Sequence, residues 1–223
     1  LNFIEQAEKL LSIDSSSDVG TSYVCAYLSG VAKELELNVK IDTHVIDGVE
    51  QNLIYIYQGE RSTEEMIFWS NLQTNDPGPY SYWSETDANP FRLSIKGDRI
   101  YGLGANSGKL DFLSRIFALA DCDLKKVTIR PVLVGGFGDF LNKQGAKLFV
   151  KSYKHKIHSM FVSEASDLRI NMNYCGSVVV KMFLPFSNSE VQLRQKYFSD
   201  EVTATQTKIY HAAPHFSIHA NYK

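Results

Sequence analysis

The chain is 223 residues long, and its 23 Lys and Arg against 25 Asp and Glu leave a formal charge of −2. That balance speaks against nucleic acid or an anionic membrane as the main partner. With 44% hydrophobic and 22% charged residues, the composition is that of a soluble globular protein able to bury a sizeable core. Cys25, Cys122 and Cys175 are widely spaced and odd in number. They argue against a disulfide framework or a cysteine zinc site, and for reduced, buried thiols in a cytoplasmic compartment. No apolar run reaches the length of a membrane span, no basic-then-apolar leader opens the chain, and Leu1 reads as a trimmed start.

Phe3, Ile4, Ala7, Leu10 and Leu11 share one helical face over residues 2–13. Ser15–Ser17 and Asp18 then read as a loop capping a second helix, Thr21 to Leu35. Val39–Val45 alternates as a strand, and Leu53–Tyr57 is a second one. Met66–Trp69 is a short buried strand, followed from Asn71 to Pro90 by a loop rich in Pro, Gly, Asn and Asp. A loop of that length in a compact domain points to function. Ile100–Gly104 ends a strand edge, Leu110–Ala120 has helical period, Val127–Val134 is a strand, Gly135–Gly138 a glycine turn and Phe140–Lys151 a helix. Ile157–Val162 and Ser177–Phe183 close the strands, and a polar stretch Ser189–Phe198 precedes a Thr- and His-rich tail. The alternation predicts an α/β fold: a mixed, mostly parallel sheet with helices on both faces over residues 1–175, then a smaller α+β segment over 176–223.

Several local patterns fall in a telling order. Met66-Ile67-Phe68-Trp69 runs into Ser70-Asn71-Leu72-Gln73, then come Trp83 and Asn89-Pro90-Phe91, and then Tyr101-Gly102-Leu103-Gly104-Ala105-Asn106-Ser107-Gly108-Lys109. Leu133-Val134-Gly135-Gly136-Phe137 ends a later strand, and Ser163-Glu164-Ala165-Ser166 another. Over about residues 3–184 this series resembles the M20 family of zinc-dependent amidohydrolases and peptidases, which includes acetylornithine deacetylases and succinyl-diaminopimelate desuccinylases. The resemblance implies the M20 catalytic-type fold with part of its lid domain, and an ancestral two-zinc site that hydrolyses an amide bond. A complete member would return from the lid to the catalytic sheet, so this chain reads as a fragment, or as one completed by another chain or by an unordered part.

The departures fall where the resemblance puts the chemistry. Asn71 stands at the position of a zinc-binding His and Gln73 at that of its supporting Asp, while Ser107 replaces the bridging Asp. The paired glutamates fall on Gly135-Gly136 or on Gly136-Phe137, and Glu164 alone keeps a side chain able to bind metal. Zinc needs imidazole, carboxylate or thiolate donors, and one carboxylate cannot hold a two-zinc site. Without metal or general base no group is placed to activate water.

Three readings follow from the resemblance. The first is a degenerate M20-like protein, a binding or regulatory pseudoenzyme that needs no cofactor and takes a small molecule or peptide in a remnant cleft. The second is a working zinc deacylase or peptidase acting on an N-acyl amino acid or short peptide, with ligands such as Asp76, Glu85 or Asp111 displaced into the site. The third is an interaction module pairing through lid strands as a homodimer.

Other features have plainer explanations. Asn71 and Gln73 are suited to loop hydrogen bonds. Gly102, Gly104 and Gly108 lack dinucleotide spacing and read as a turn approaching a helix, with Lys109 and Asp111 as solvated residues opening it. Ser107 lacks a nucleophile elbow and a base. His211, His215 and His219 repeat every four residues, but Pro214 interrupts the run. His155 and His158 fall in or just beyond a lysine-rich stretch read as a solvated helix end. Tyr80, Tyr82, Trp83 and Phe91 either line a cleft or fasten the long loop.

Overall fold

A computed structural model describes residues 1–60, 62–138 and 143–163, and the backbone of 177–183 and 215–221. The chain divides into two compact units, Leu1–Ala165 and Ser166–Lys223. In the second unit the described part is an antiparallel pair, β8 (Ser177–Phe183) with β9 (His215–Asn221).

The first unit opens with α1 (Phe3–Leu11) and α2 (Ser22–Glu34). Asn2 caps α1, its side chain accepting from the Ile4 and Glu5 amides. A hairpin follows, β1 (Asn38–Ile46) with β2 (Val49–Tyr57), closed by Asp47-Gly48. Both turn residues have positive φ, 51° and 81°, as a two-residue hairpin turn of the primed kind demands. Next come β3 (Glu64–Asn71), a small hairpin of β4 (Ser94–Lys96) and β5 (Arg99–Tyr101), α3 (Gly108–Ala120), β6 (Arg130–Gly136), α4 (Gln144–Ser152) and β7 (Lys156–Val162).

The main sheet has the order β1-β2-β6-β3-β7, antiparallel on the β1–β2–β6 side and parallel on the β6–β3–β7 side. The α/β fold with a mixed sheet is therefore as expected. Chain direction decides where the helices go. The step from β3 to β6 moves one way across the sheet and the step from β6 to β7 moves the other, so right-handed crossovers put α3 and α4 on opposite faces. Packing agrees. Ile54, Ile56 and Leu133 pack with α1, α2 and α3. Leu53, Tyr55, Ile67, Trp69, Val132 and Val134 pack with Phe149 of α4. Central strands buried on both faces explain their nearly unbroken apolar runs. At the edge, β7 leaves Met160, Phe161 and Val162 exposed.

Two expectations need correction. Gly135 and Gly136 are not a turn: they end β6, paired with Ser70 and Asn71 of β3. A Cβ on Gly135 would come within 2.4 Å of Leu72, and one on Gly136 within 2.2 Å of the Trp69 ring, so glycine is required by close approach. Lys156 opens β7 and His155 lies beside the buried Glu65 rather than at a solvated helix end, with Nδ1 2.7 Å from the Ser62 carbonyl oxygen. Tyr153 donates its hydroxyl to Glu65 from the same side. Among the described residues no helix is long and apolar enough to cross a membrane. Cys25 is buried, and that burial pushes its thiol up to about 12.

Candidate functional site

β3 and β6 are parallel neighbours whose following helices lie on opposite faces, so their carboxyl ends mark a topological switch point of the sheet. Such switch points are where open α/β sheets bind ligands. Asn71, Gln73, Gly136 and Phe137 all lie at this place, and Ser107, at the start of α3, adjoins it. The topology therefore gathers those of the positions singled out by sequence that lie among the described residues.

Their side chains are committed to structure. Asn71 Oδ1 accepts from the Gln73 amide at 3.1 Å, closing an Asx turn. Gln73 Oε1 accepts from the Gly138 amide at 2.9 Å and so ties the loop after β3 to the loop after β6. Ser107 is the residue before α3, and its hydroxyl donates to the Gly104 carbonyl at 3.3 Å rather than capping the helix. Gly108 rests on the Asn71 backbone so closely that a Cβ would lie 1.9 Å from its carbonyl oxygen. Phe137 is buried in the core on the α4 face. Glu164 and His211 lie outside the described residues, as do the side chains of His215 and His219.

The zinc pair implied by the resemblance does not fit the described positions. An amide, a second amide, a hydroxyl, a glycine and a phenyl ring replace donors that must be imidazole or carboxylate. The volume a residue-136 side chain would occupy is already filled by the Trp69 indole. The displaced-ligand candidates are also engaged apart from one another. Asp76 Oδ1 accepts from the Gly78 amide, Glu85 pairs with Lys96 at 2.8 Å, and Asp111 is held as described next. Among the described residues no three His, Cys, Asp or Glu are grouped to hold a metal.

Lys109 and Asp111, in the first turn of α3, depart from the solvated character expected of helix-opening residues. Asp111 is instead a hub. Its Oδ2 accepts from Ser70 Oγ of β3 at 2.6 Å, from Ser163 Oγ just after β7 at 2.5 Å, and from Arg115 Nε at 3.1 Å. The hub ties α3 to the carboxyl ends of two strands. Replacing Asp111 by alanine should cost about 2 kcal/mol, as hydrogen bonds to a partly exposed charge do, measurable by urea denaturation. Lys109 is fully buried and donates to the Ile13 carbonyl at 2.5 Å. Desolvation pushes its ammonium down to about 8, with Asp14 opposing. The signal for this burial lies in Gly104, where a Cβ would come 2.8 Å from the lysine Cδ.

The long loop after β3 builds a second feature. Trp83 Nε1 donates to the Pro77 carbonyl at 2.8 Å, and the Leu103 amide donates to Pro90 at 2.7 Å, fixing the loop's course. Between its turns and β5 lies a half-open pocket of about 250 Å³, lined by Tyr82, Trp83, Glu85, Thr86, Ile100, Tyr101, Gly102, Ala105 and Asn106.

No family model and no curated protein matches the sequence. Solved structures do match. A metallo-carboxypeptidase of the M20 family from Sulfolobus solfataricus superposes with TM-score 0.59 and 20% identity, over 73% of this chain and 37% of its own. Aminopeptidase PepT from Bacillus cereus superposes with TM-score 0.51 and 13% identity, over 98% of this chain and 65% of its own. A glutaminyl cyclase from Porphyromonas gingivalis gives TM-score 0.46 at 12% identity, over 72% of this chain and 55% of its own. The chain thus spans less than two thirds of each of these proteins. At these identities the likeness speaks of architecture alone: this chain has the α/β fold of the part of the M20 metallo-carboxypeptidase on which it superposes.

Proposed function

We propose that this chain is a non-hydrolytic member of the M20-type scaffold, a binding or regulatory protein that takes a small molecule or peptide in a remnant cleft. The observation that carries the reading is Gly136, where the Trp69 ring occupies the space a ligand-bearing side chain would need. The neutral partners of Asn71 and Gln73 support it, since both amides serve loop closure. The aromatic pocket on the neighbouring loop supplies a place to bind that needs no metal.

The test is zinc itself. Protein purified without chelator and offered zinc should hold less than about 0.1 ion per chain by elemental analysis, and its melting temperature should not move with added zinc or with EDTA. Two tightly held ions per chain, with hydrolysis of N-acyl amino acids, would reverse the reading in favour of the zinc deacylase or peptidase.

A further inference from the structure

The pocket on the loop between β3 and α3 has aromatic walls and one charge. Tyr82, Trp83 and Tyr101 line it together with Ile100 and Asn106, and Glu85 is the charged side chain among its lining residues. Tyr82 is 82% exposed, a large lining ring left in water. A carboxylate set among aromatic rings favours a cation over an anion or a neutral chain, because ring faces and carboxylate both present negative potential. The protein supplies its own example: the Lys96 ammonium sits 2.8 Å from Glu85. That ammonium's pKa is raised, first by its hydrogen bond to Glu85, with Asp87 and Tyr101 adding to the field. Both partners of the pair are about half exposed, so the Glu85 carboxylate remains open to solvent and to a second cation beside Lys96.

We propose that this pocket binds an alkylammonium side chain of the lysine type, held by Glu85 and seated against Tyr82, Trp83 and Tyr101. The proposal rests on the binding role given above and names the class of ligand.

Trp83 is the natural reporter, since the chain has two tryptophans and Trp69 is buried in the core. The full chain is titrated with N-acetyl-lysine amide and with its uncharged isostere N-acetyl-norleucine amide, reading tryptophan emission. The lysine probe should give a saturable change and bind at least about fivefold tighter than norleucine. Glu85→Gln should remove most of that preference while leaving the melting temperature unchanged, because both Glu85 and Lys96 stand at the surface. Tyr82→Ala should weaken the lysine probe in a second, independent way. Equal binding of the two probes, no emission change up to tens of millimolar, or a preference untouched by Glu85→Gln would each overturn the proposal. Release of acetate from the lysine probe in the presence of zinc would instead overturn the non-hydrolytic reading and leave the pocket's preference standing.

Discussion

Replacing Gly136 by glutamate, which puts a carboxylate where the resemblance expects one, should cost about 4 kcal/mol or abolish folding. The first added atom, Cβ, meets Trp69 Cζ2 at 2.2 Å and Cη2 at 2.3 Å, inside any permitted contact. Gly136 cannot slide away, because it is laddered to Asn71 and its carbonyl accepts from the Leu72 amide at 2.8 Å. The indole cannot swing away either: Trp69 lies edge-on to Phe149, with centroids 5.5 Å apart, in the core on the α4 face. Gly136→Ala separates the steric cost from the buried charge and should lose about 1–3 kcal/mol. Trp69→Ala alone should lose about 3–5 kcal/mol by leaving a cavity. Combined with Gly136→Ala it should lose less than the sum, by about 1 kcal/mol or more, since the methyl enters the vacated space. Urea denaturation of the four proteins reads the cycle, and strict additivity would show that ring and glycine are not coupled.

Lys109→Met should flatten the alkaline limb of the stability curve. In the folded protein the ammonium titrates at about 8, against an ordinary value of 10.5. Between those two values the unfolded chain holds a proton that the folded chain has released, so stability rises with pH across the window. Below about 8 both states are charged, and the folded one bears the cost of a desolvated cation. The full rise is about 3 kcal/mol, from 1.36 kcal/mol per pH unit of difference. Methionine keeps the alkyl chain beside Gly104 and removes the charge, at the expense of the bond to Ile13. Denaturation at pH 7, 8.5 and 10 should show the wild type gaining on the variant as pH rises, and parallel curves would assign the shift elsewhere.

Much of the architecture was legible because it rests on local period. The face of Ala7, Leu10 and Leu11 gave α1, although Ile4, read on the same face, is exposed. The run Met66–Trp69 gave β3, beside the central strand β6, with Ile67 and Trp69 buried and Met66 and Phe68 half-buried. What escaped depends on partners distant in sequence. The first half of β2 is polar at Glu50, Gln51 and Asn52, and Gln51 and Asn52 are buried because Thr21 and Ser17 meet them from the α1–α2 connection. Two adjacent glycines suggested a turn, and only the rings and branches of Trp69, Leu72 and Ile54 explain why a strand needs them. Lys109 read as a solvated helix residue because its acceptor, Ile13, lies 96 positions away. The positions of the candidate site were found through the resemblance, whereas the loop aromatics were open between cleft and fastening until the fold divided them: Tyr82 and Trp83 line the pocket, while Tyr80 and Phe91 pack on each other.

The opposed crossovers after β3 and β6 have a consequence for inheritance of function. A switch point made by topology does not depend on which side chains stand at it. Two proteins can share the location of a site and nothing of its reaction. A likeness of backbone therefore predicts where to look on this molecule far better than what will be found. The chemistry must be read at Asn71, Gln73, Ser107 and Gly136, one side chain at a time.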